Sequence, residues 1–411
     1  MITAEQIHPL CHELIERRKH LLLARRTDEI VRALAEVARR WLEPSNPWRQ
    51  RAIEGMPKVA GFSPQMVERI IDLLFRELTG AKLAGLVDSE LGKWKDKQTG
   101  PPLIGQVFSG NIPNPAVVSI VCALLVKSAS FCKASSRDPL FPSLFLASLH
   151  ELDPDLAGCV QLQRWKGGAR DVEEALFREA NLIVAFGDDS SLHALRKSLP
   201  TGKRFLGFGH KIGFAVVVRD APGDIAAAAA EDVSLYDQQG CLSPHLIYVE
   251  EDEPRTARAF AGRLADAMEQ FARRVPRGKL SLEESAAVAR VRDAYEFRAA
   301  NDPRVGIWTS RDSDAWTVIY EDEPMFATSP LNRVVFVKPL RDLEASVAHV
   351  RSYLHNVGLA CPASRWTEWE TRLRGLGAVR VCPLGEMQKP PLSVSEGIRP
   401  RLSDLISLPL L

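Results

Sequence analysis

From residue 103 onward the chain repeats one alternation: an apolar run about six residues long, then a helical stretch of about ten to fourteen. The runs IGQVFSG, SASFCKAS, GCVQLQRW, NLIVAFGDD, KRFLGFG and IGFAVVV are separated by segments such as PSLFLASLHEL, DVEEALFREA and SSLHALRKSL. A strand covered on both faces has no polar side to show, so uninterrupted apolar runs joined by helices specify a parallel sheet between helical layers. The expected class is α/β, with a Rossmann-type cofactor domain. A second α/β stretch comes next, in HLIYVE, WTVIYED, RVVFVKPL, LEASVAHVRSYL and AVRVCPL. Sheets of this kind bind ligands at the carboxyl ends of their strands. No G-x-G-x-x-G is present, so a dinucleotide is held in some other way or not at all.

Residues 4–45 carry apolar side chains at three-to-four spacing and read as helix until EPSNPW interrupts the hydrogen-bond ladder. A second helix is expected over SPQMVERIIDLLFREL, with Ser63 as its cap and Pro64 at its first position. We therefore expect a helical N-terminal segment (1–100) packed on the cofactor domain (101–222), a catalytic α/β domain (223–390) and a tail (391–411). The net charge is +1, and the basic clusters ERRKH and ARR are interleaved with Glu13, Glu16, Asp28 and Glu29. A nucleic-acid partner is not expected, because such binding needs a basic stripe. No run approaches the roughly 18 apolar residues of a membrane span. The opening residues resemble neither a secretory signal nor a transit peptide, which makes the cytoplasm the expected location.

Seven cysteines are scattered without a C-x-x-C pair, so neither a metal site nor a disulfide framework is expected. Cys11, Cys122, Cys132, Cys159, Cys361 and Cys382 read as small structural residues. Cys241 differs, lying in YDQQGCLSPH. Asp224 can cap the alanine-rich helix IAAAAAEDVS, which should end near Tyr236 and leave Cys241 on a turn before the strand HLIYVE. Gly240 permits close approach of the backbone to a ligand, and Pro244 stiffens the chain beyond the turn. A thiol so placed is a candidate nucleophile. His210 and His245 could each serve as its base, or be structural.

The segment VSLYDQQGCLSPHLIYVE, together with FSGNIPNPAVVSIVCALLVKSASFCKAS and GEMQKPP, resembles the LuxC-type acyl-CoA reductases, a branch of the aldehyde dehydrogenase superfamily. The resemblance runs from about residue 100 to 390 and implies an aldehyde dehydrogenase-like fold. It assigns Cys241 as the nucleophile and Asn111, in GNIP, as a donor to the oxyanion; without it, Asn111 reads as a turn residue. It places Lys133 at the adenosine ribose, with Ser135 and Ser136 beside it. NAD-selective relatives carry an acid three residues after that lysine, and Ser136 stands there, which points to NADPH. Gly187 and Ser190 in VAFGDDSSL correspond to the pyrophosphate contacts, although Asp188 and Asp189 sit awkwardly beside a polyanion.

The glutamate that activates water in hydrolytic relatives falls on Gly207 of GFGHK. An acyl-enzyme lacking that base should resist water and wait for hydride. The implied activity is reduction of a long-chain acyl-CoA, or an acyl-carrier thioester, to the aldehyde, with an acyl-transferase or synthetase as a candidate partner and a homo-oligomer as the family's habit. The alternatives are a Cys-dependent acyltransferase or thioesterase using no dinucleotide, and a non-catalytic acyl-binding subunit.

Overall fold

The computed structural model describes residues 2–110, 112–251, 256–311, 313–394 and 399–406. These form two compact units, one of Met1–Ala60, Val67–His210 and Pro391–Leu411, the other of Gly61–Met66 and Lys211–Pro390. The first holds a sheet of β1 (Leu103–Val107), β2 (Ala129–Lys133), β3 (Val160–Gln163), β4 (Leu182–Phe186) and β5 (Arg204–Phe208), ordered β3-β2-β1-β4-β5. Every pairing in it is parallel. The strand order reverses between β1 and β4, which puts a ligand crevice at their carboxyl ends.

The helix expected over 4–45 is divided. It runs Ala4–Arg17, continues as a π turn over Arg18–Leu22, and restarts at Thr27–Trp41. Tertiary bonds override the local pattern here. Buried Arg18 donates from Nε to the Lys127 carbonyl (2.6 Å) and from Nη2 to that of Gly100 (2.9 Å). Ile7, Cys11 and Leu14 of the first segment pack into one core with Leu103, Phe131 and Ile183 of the sheet. Ser63 caps the helix Pro64–Glu77 as expected, its hydroxyl accepting from the Met66 N–H at 3.2 Å.

The second unit is built on seven strands: β6 (Ile212–Val217), β7 (Pro244–Val249), β8 (Val305–Thr309), β9 (Thr317–Glu321), β10 (Val334–Pro339), β11 (Leu354–Ala360) and β12 (Arg380–Pro383). Their order is β12-β11-β6-β7-β10-β9-β8, and only β8 and β9 pair antiparallel. Alternate residues feed opposite cores, as a period of two requires. Phe214, Val216, Leu246 and Tyr248 face one, while Ala215, Val217, Ile247 and Val249 face the other. The second core is closed by the helices Ile225–Ser234 and Ala257–Arg274, the former contributing Ala226, Ala229 and Ala230. β6 corrects the expected boundary at 222. It pairs with β7 and β11, so the second unit begins at Lys211. Local apolar pattern cannot tell a strand which sheet to join.

Candidate active site

Asp224 caps the alanine-rich helix, accepting from the Ala227 N–H at 3.1 Å, and the helix ends at Ser234. Tyr236, Asp237 and Gln238 then take φ of 55°, 50° and 64°. Left-handed backbone costs a non-glycine residue about 1–2 kcal/mol, so three in a row need compensation from their surroundings. They obtain it from a second left-handed triplet, Leu331, Asn332 and Arg333 (φ 65°, 60° and 63°). Six of the eight such residues among those described fall in these two turns.

Arg333, wholly buried, donates from Nε to Asp237 Oδ1 (2.9 Å) and forms an ion pair with the same oxygen through Nη2 (2.7 Å). The Gln238 carboxamide accepts from the Val334 N–H (3.0 Å) and donates to the carbonyls of Val334 (2.9 Å) and Pro244 (2.8 Å). Gln239 Nε2 donates to Asn332 Oδ1 at 2.6 Å. On the other side of the thiol, Asn356 Nδ2 holds the Leu242 carbonyl at 2.9 Å, and Gln388 Nε2 donates to Ser243 Oγ. Gly213 of β6 makes room for this backbone, since a Cβ there would lie 2.9 Å from the Ser243 oxygen. Throughout 232–249 the chain is buried or half-buried except at Cys241, which is exposed.

Protein nonetheless surrounds the sulfur on its remaining sides, and that desolvation raises the thiol to about 11. Its own backbone N–H and the Lys211 ammonium pull the other way without prevailing. Exposure governs access and surrounding protein governs the proton, so the resting group is a reachable thiol with roughly one part in 10⁴ thiolate at pH 7. Alkylation of Cys241 by iodoacetamide should therefore climb about tenfold per pH unit from 7 to 10. Peptide mass mapping reads this cleanly, because the other six cysteines are buried. A plateau near pH 8 would show that burial does not control the proton.

His245 cannot remove that proton in this arrangement. It is buried at the second position of β7, and its Nδ1 accepts the Ser329 N–H at 3.1 Å. A neutral ring whose Nδ1 lone pair is engaged carries its hydrogen on Nε2 and has no second lone pair to offer. His210 is exposed at the end of the first unit, its N–H donated to Asp189 Oδ1 at 3.1 Å.

In the first unit, a cavity of about 590 Å³ opens at the carboxyl ends of β2 and β3. Ser135, Ser136, Arg164, Trp165 and Lys166 line it. Lys133, the last residue of β2, lies with its ammonium 5.9 Å from the centre of the Trp165 ring. Burial lowers the affinity of that amine for its proton, and Glu173 partly offsets this. The Trp165 indole N–H is buried without a hydrogen-bond partner. Neither Arg164 nor Lys166 makes an ion pair among the described residues, so two cations face this space uncommitted. Sequence reasoning passed over both. Their position just beyond the carboxyl end of a strand, β3, was the available signal.

The structure thus brings Lys133, Ser135 and Ser136 together, with Gly187 on the separate loop after β4 and Ser190 in the first turn of the helix Asp189–Lys197. The donors there are engaged: the Gly187 N–H bonds to the Phe208 carbonyl (3.2 Å), and the Ser190 hydroxyl to Asp188 Oδ1 (2.6 Å). The two acids there are structural. Asp188 caps the helix Asp189–Lys197, and hydroxyl and N–H donors from Ser190 and Ser191 hold it down to about 2. Asn111 lies outside the described residues. Gly110 before it packs on the loop after β2, where a Cβ would meet the Ser135 side chain and come within 2.6 Å of Arg137 Cβ. Cys241 belongs to the second unit.

A profile of the acyl-CoA reductases (LuxC) matches residues 22–393. The chain belongs to the LuxC acyl-CoA reductase family. Among its relatives in that family are the long-chain acyl-protein thioester reductases of Aliivibrio fischeri, 24% identical over 87% of this chain and 76% of theirs, and of Photorhabdus luminescens, with the same figures. The fold is that of the aldehyde dehydrogenases. An oxidoreductase from Marinobacter aquaeolei superposes with a TM-score of 0.74 at 17% identity, covering 98% of this chain and 89% of that one. The glyceraldehyde-3-phosphate dehydrogenase GapN of Methanocaldococcus jannaschii, solved with NADP, gives 0.67 at 15% identity over 93% and 86%. In this LuxC family member, no helix among the described residues is long and apolar enough to cross a membrane, and no cluster of three metal-ligating side chains occurs among them.

Proposed function

We propose that the protein reduces a long-chain acyl thioester, on CoA or a carrier protein, to the aldehyde with NADPH, through an acyl group carried on Cys241. The observation that carries this reading is the exposure of Cys241 alone within an otherwise buried segment. The long-chain donor is taken from the names of the relatives.

The first-unit cavity fits the adenosine end of a dinucleotide in size and chemistry: aromatic wall, hydroxyls, and two cations suited to a 2′-phosphate. Lys133, Ser135, Ser136, Arg164 and Lys166 would hold it there. When bound, the cofactor supplies hydride to the acyl carbon.

Cys241 attacks the thioester carbonyl, forming one C–S bond as the C–S bond to the leaving thiol breaks. The exchange is nearly balanced in bond energy, and the proton Cys241 loses equals the one the departing thiolate gains. No strong base is required, which suits a site where His245 has no lone pair to spare. The oxyanion calls for fixed donors: the Cys241 N–H is one candidate, and the family resemblance assigns the Asn111 carboxamide as another, each worth about 3–4 kcal/mol. After reduction, the thiohemiacetal oxyanion collapses to aldehyde and expels Cys241 as thiolate, which takes up one proton. Gly207 offers no carboxylate to activate water, so the acyl-enzyme persists until it is reduced.

Purified protein given tetradecanoyl-CoA should consume one NADPH per aldehyde formed, and none without the thioester. Release of free acid and CoA in the absence of cofactor would overturn the proposal in favour of a thioesterase.

A further inference from the structure

We infer that Arg333 is a positioning residue for Cys241: its ion pair with Asp237 locks the two left-handed turns together and so fixes where the thiol is presented. This rests on the reading of Cys241 as nucleophile.

Neither turn is stable by itself, because all six of their members are non-glycine residues at positive φ. Strained backbone of this kind persists where neighbouring structure over-determines it. The neighbour of each turn is the other. Arg333 reaches from the second turn to Asp237 in the first, and Gln239, just past the first, reaches Asn332 in the second. Outside the pair, the Gly278 N–H donates to Asp237 Oδ2 (3.0 Å) and Arg333 Nη1 to the Val275 carbonyl (3.0 Å), anchoring both to one loop. A relaxed link between the helix Ile225–Ser234 and β7 would be cheaper to fold. What the strained path delivers is a chain that surfaces at residue 241 and is buried again at 242. Cys241 lies only four positions beyond Asp237, so a turn allowed to relax moves the thiol.

The test uses the full chain, following NADPH oxidation with tetradecanoyl-CoA. Arg333→Met should lower kcat by about 10²-fold, the loss that a displacement near 1 Å produces, with KM for the thioester changed less than about threefold. Glycine adopts positive φ freely, so adding Leu331→Gly to Arg333→Met, which leaves the Gln239–Asn332 bond in place, should recover at least about tenfold in kcat. A purely structural role predicts no such rescue, since the change removes further packing. Should Arg333→Met fail to fold, Gln239→Glu sets a carboxylate against Asn332 Oδ1 at a half-buried position and should cost about tenfold in kcat. Unchanged kcat in the soluble variants, or a loss matched by the unfolded fraction and not rescued by glycine, overturns the inference. Cys241→Ser run alongside separates the two ideas: if it stays active, the nucleophile reading has failed, whereas an inactive Cys241→Ser with a fully active Arg333→Met sinks the positioning role alone.

Discussion

Cys241→Ala is expected to abolish acyl-CoA-dependent NADPH oxidation, a loss of about 10⁴-fold or more, as removal of a nucleophile that acts as part of a unit produces. No other thiol can take over, because the remaining six are buried in the cores. Nor can unfolding account for the loss. Replacing an exposed side chain that anchors no neighbour changes stability by about 0.5 kcal/mol or less, so the variant should melt with the parent. NADPH affinity, read by fluorescence quenching, should be unchanged, since the cavity assigned to it is built entirely from the first unit. Cys241→Ser should fail almost as completely, because a serine alkoxide is a poorer leaving group than a thiolate and an alcohol is harder to ionise than even this raised thiol. Activity above about one per cent in Cys241→Ala would move the nucleophile elsewhere.

The exposure of Cys241 was legible for physical reasons that are local. Asp224 and the alanine run fix a helix, Pro244 and the run HLIYV fix a strand, and the few residues between have no apolar periodicity to bury them. The geometry of that link was not legible. Tyr236, Gln238, Leu331 and Arg333 are residues that avoid positive φ, and the glycine beside the thiol, Gly240, is not among the left-handed residues. Bonds spanning 93 to 96 positions hold the turns in place, and no window of sequence contains them. The rule that ligands gather at carboxyl strand ends also misdirects in the second unit. Cys241 precedes β7, the second left-handed turn precedes β10, and Lys211 precedes β6, so the thiol sits at the amino edge of the central strands. The assignment of Asn111 rests on its resemblance to a family motif alone, because GNIP by itself reads as a turn.

In the first unit a cavity does lie at carboxyl strand ends, and it leads to the other large expected effect. Arg164→Ala combined with Lys166→Ala should raise KM for NADPH by about 10²-fold while leaving KM for NADH within about threefold. A hydrogen bond to a phosphate from a charged donor is worth about 1.5–3 kcal/mol. Both side chains are exposed, so solvent screening argues for the low end, about tenfold for each. The effect should shrink as salt is raised, because the Debye length falls from about 10 Å at 0.1 M to about 3 Å at 1 M. Arg170, a cation at the start of the helix Arg170–Glu179 and not part of the cavity wall, supplies the control: Arg170→Ala should leave the NADPH/NADH ratio alone. Ser136 carries no charge to repel a 2′-phosphate as an acid would, so the proposed preference for NADPH calls for attraction, and these two side chains are the uncommitted cations in that wall. Equal losses with both cofactors in the double variant would mean that Arg164 and Lys166 shape the pocket without reading the 2′-phosphate.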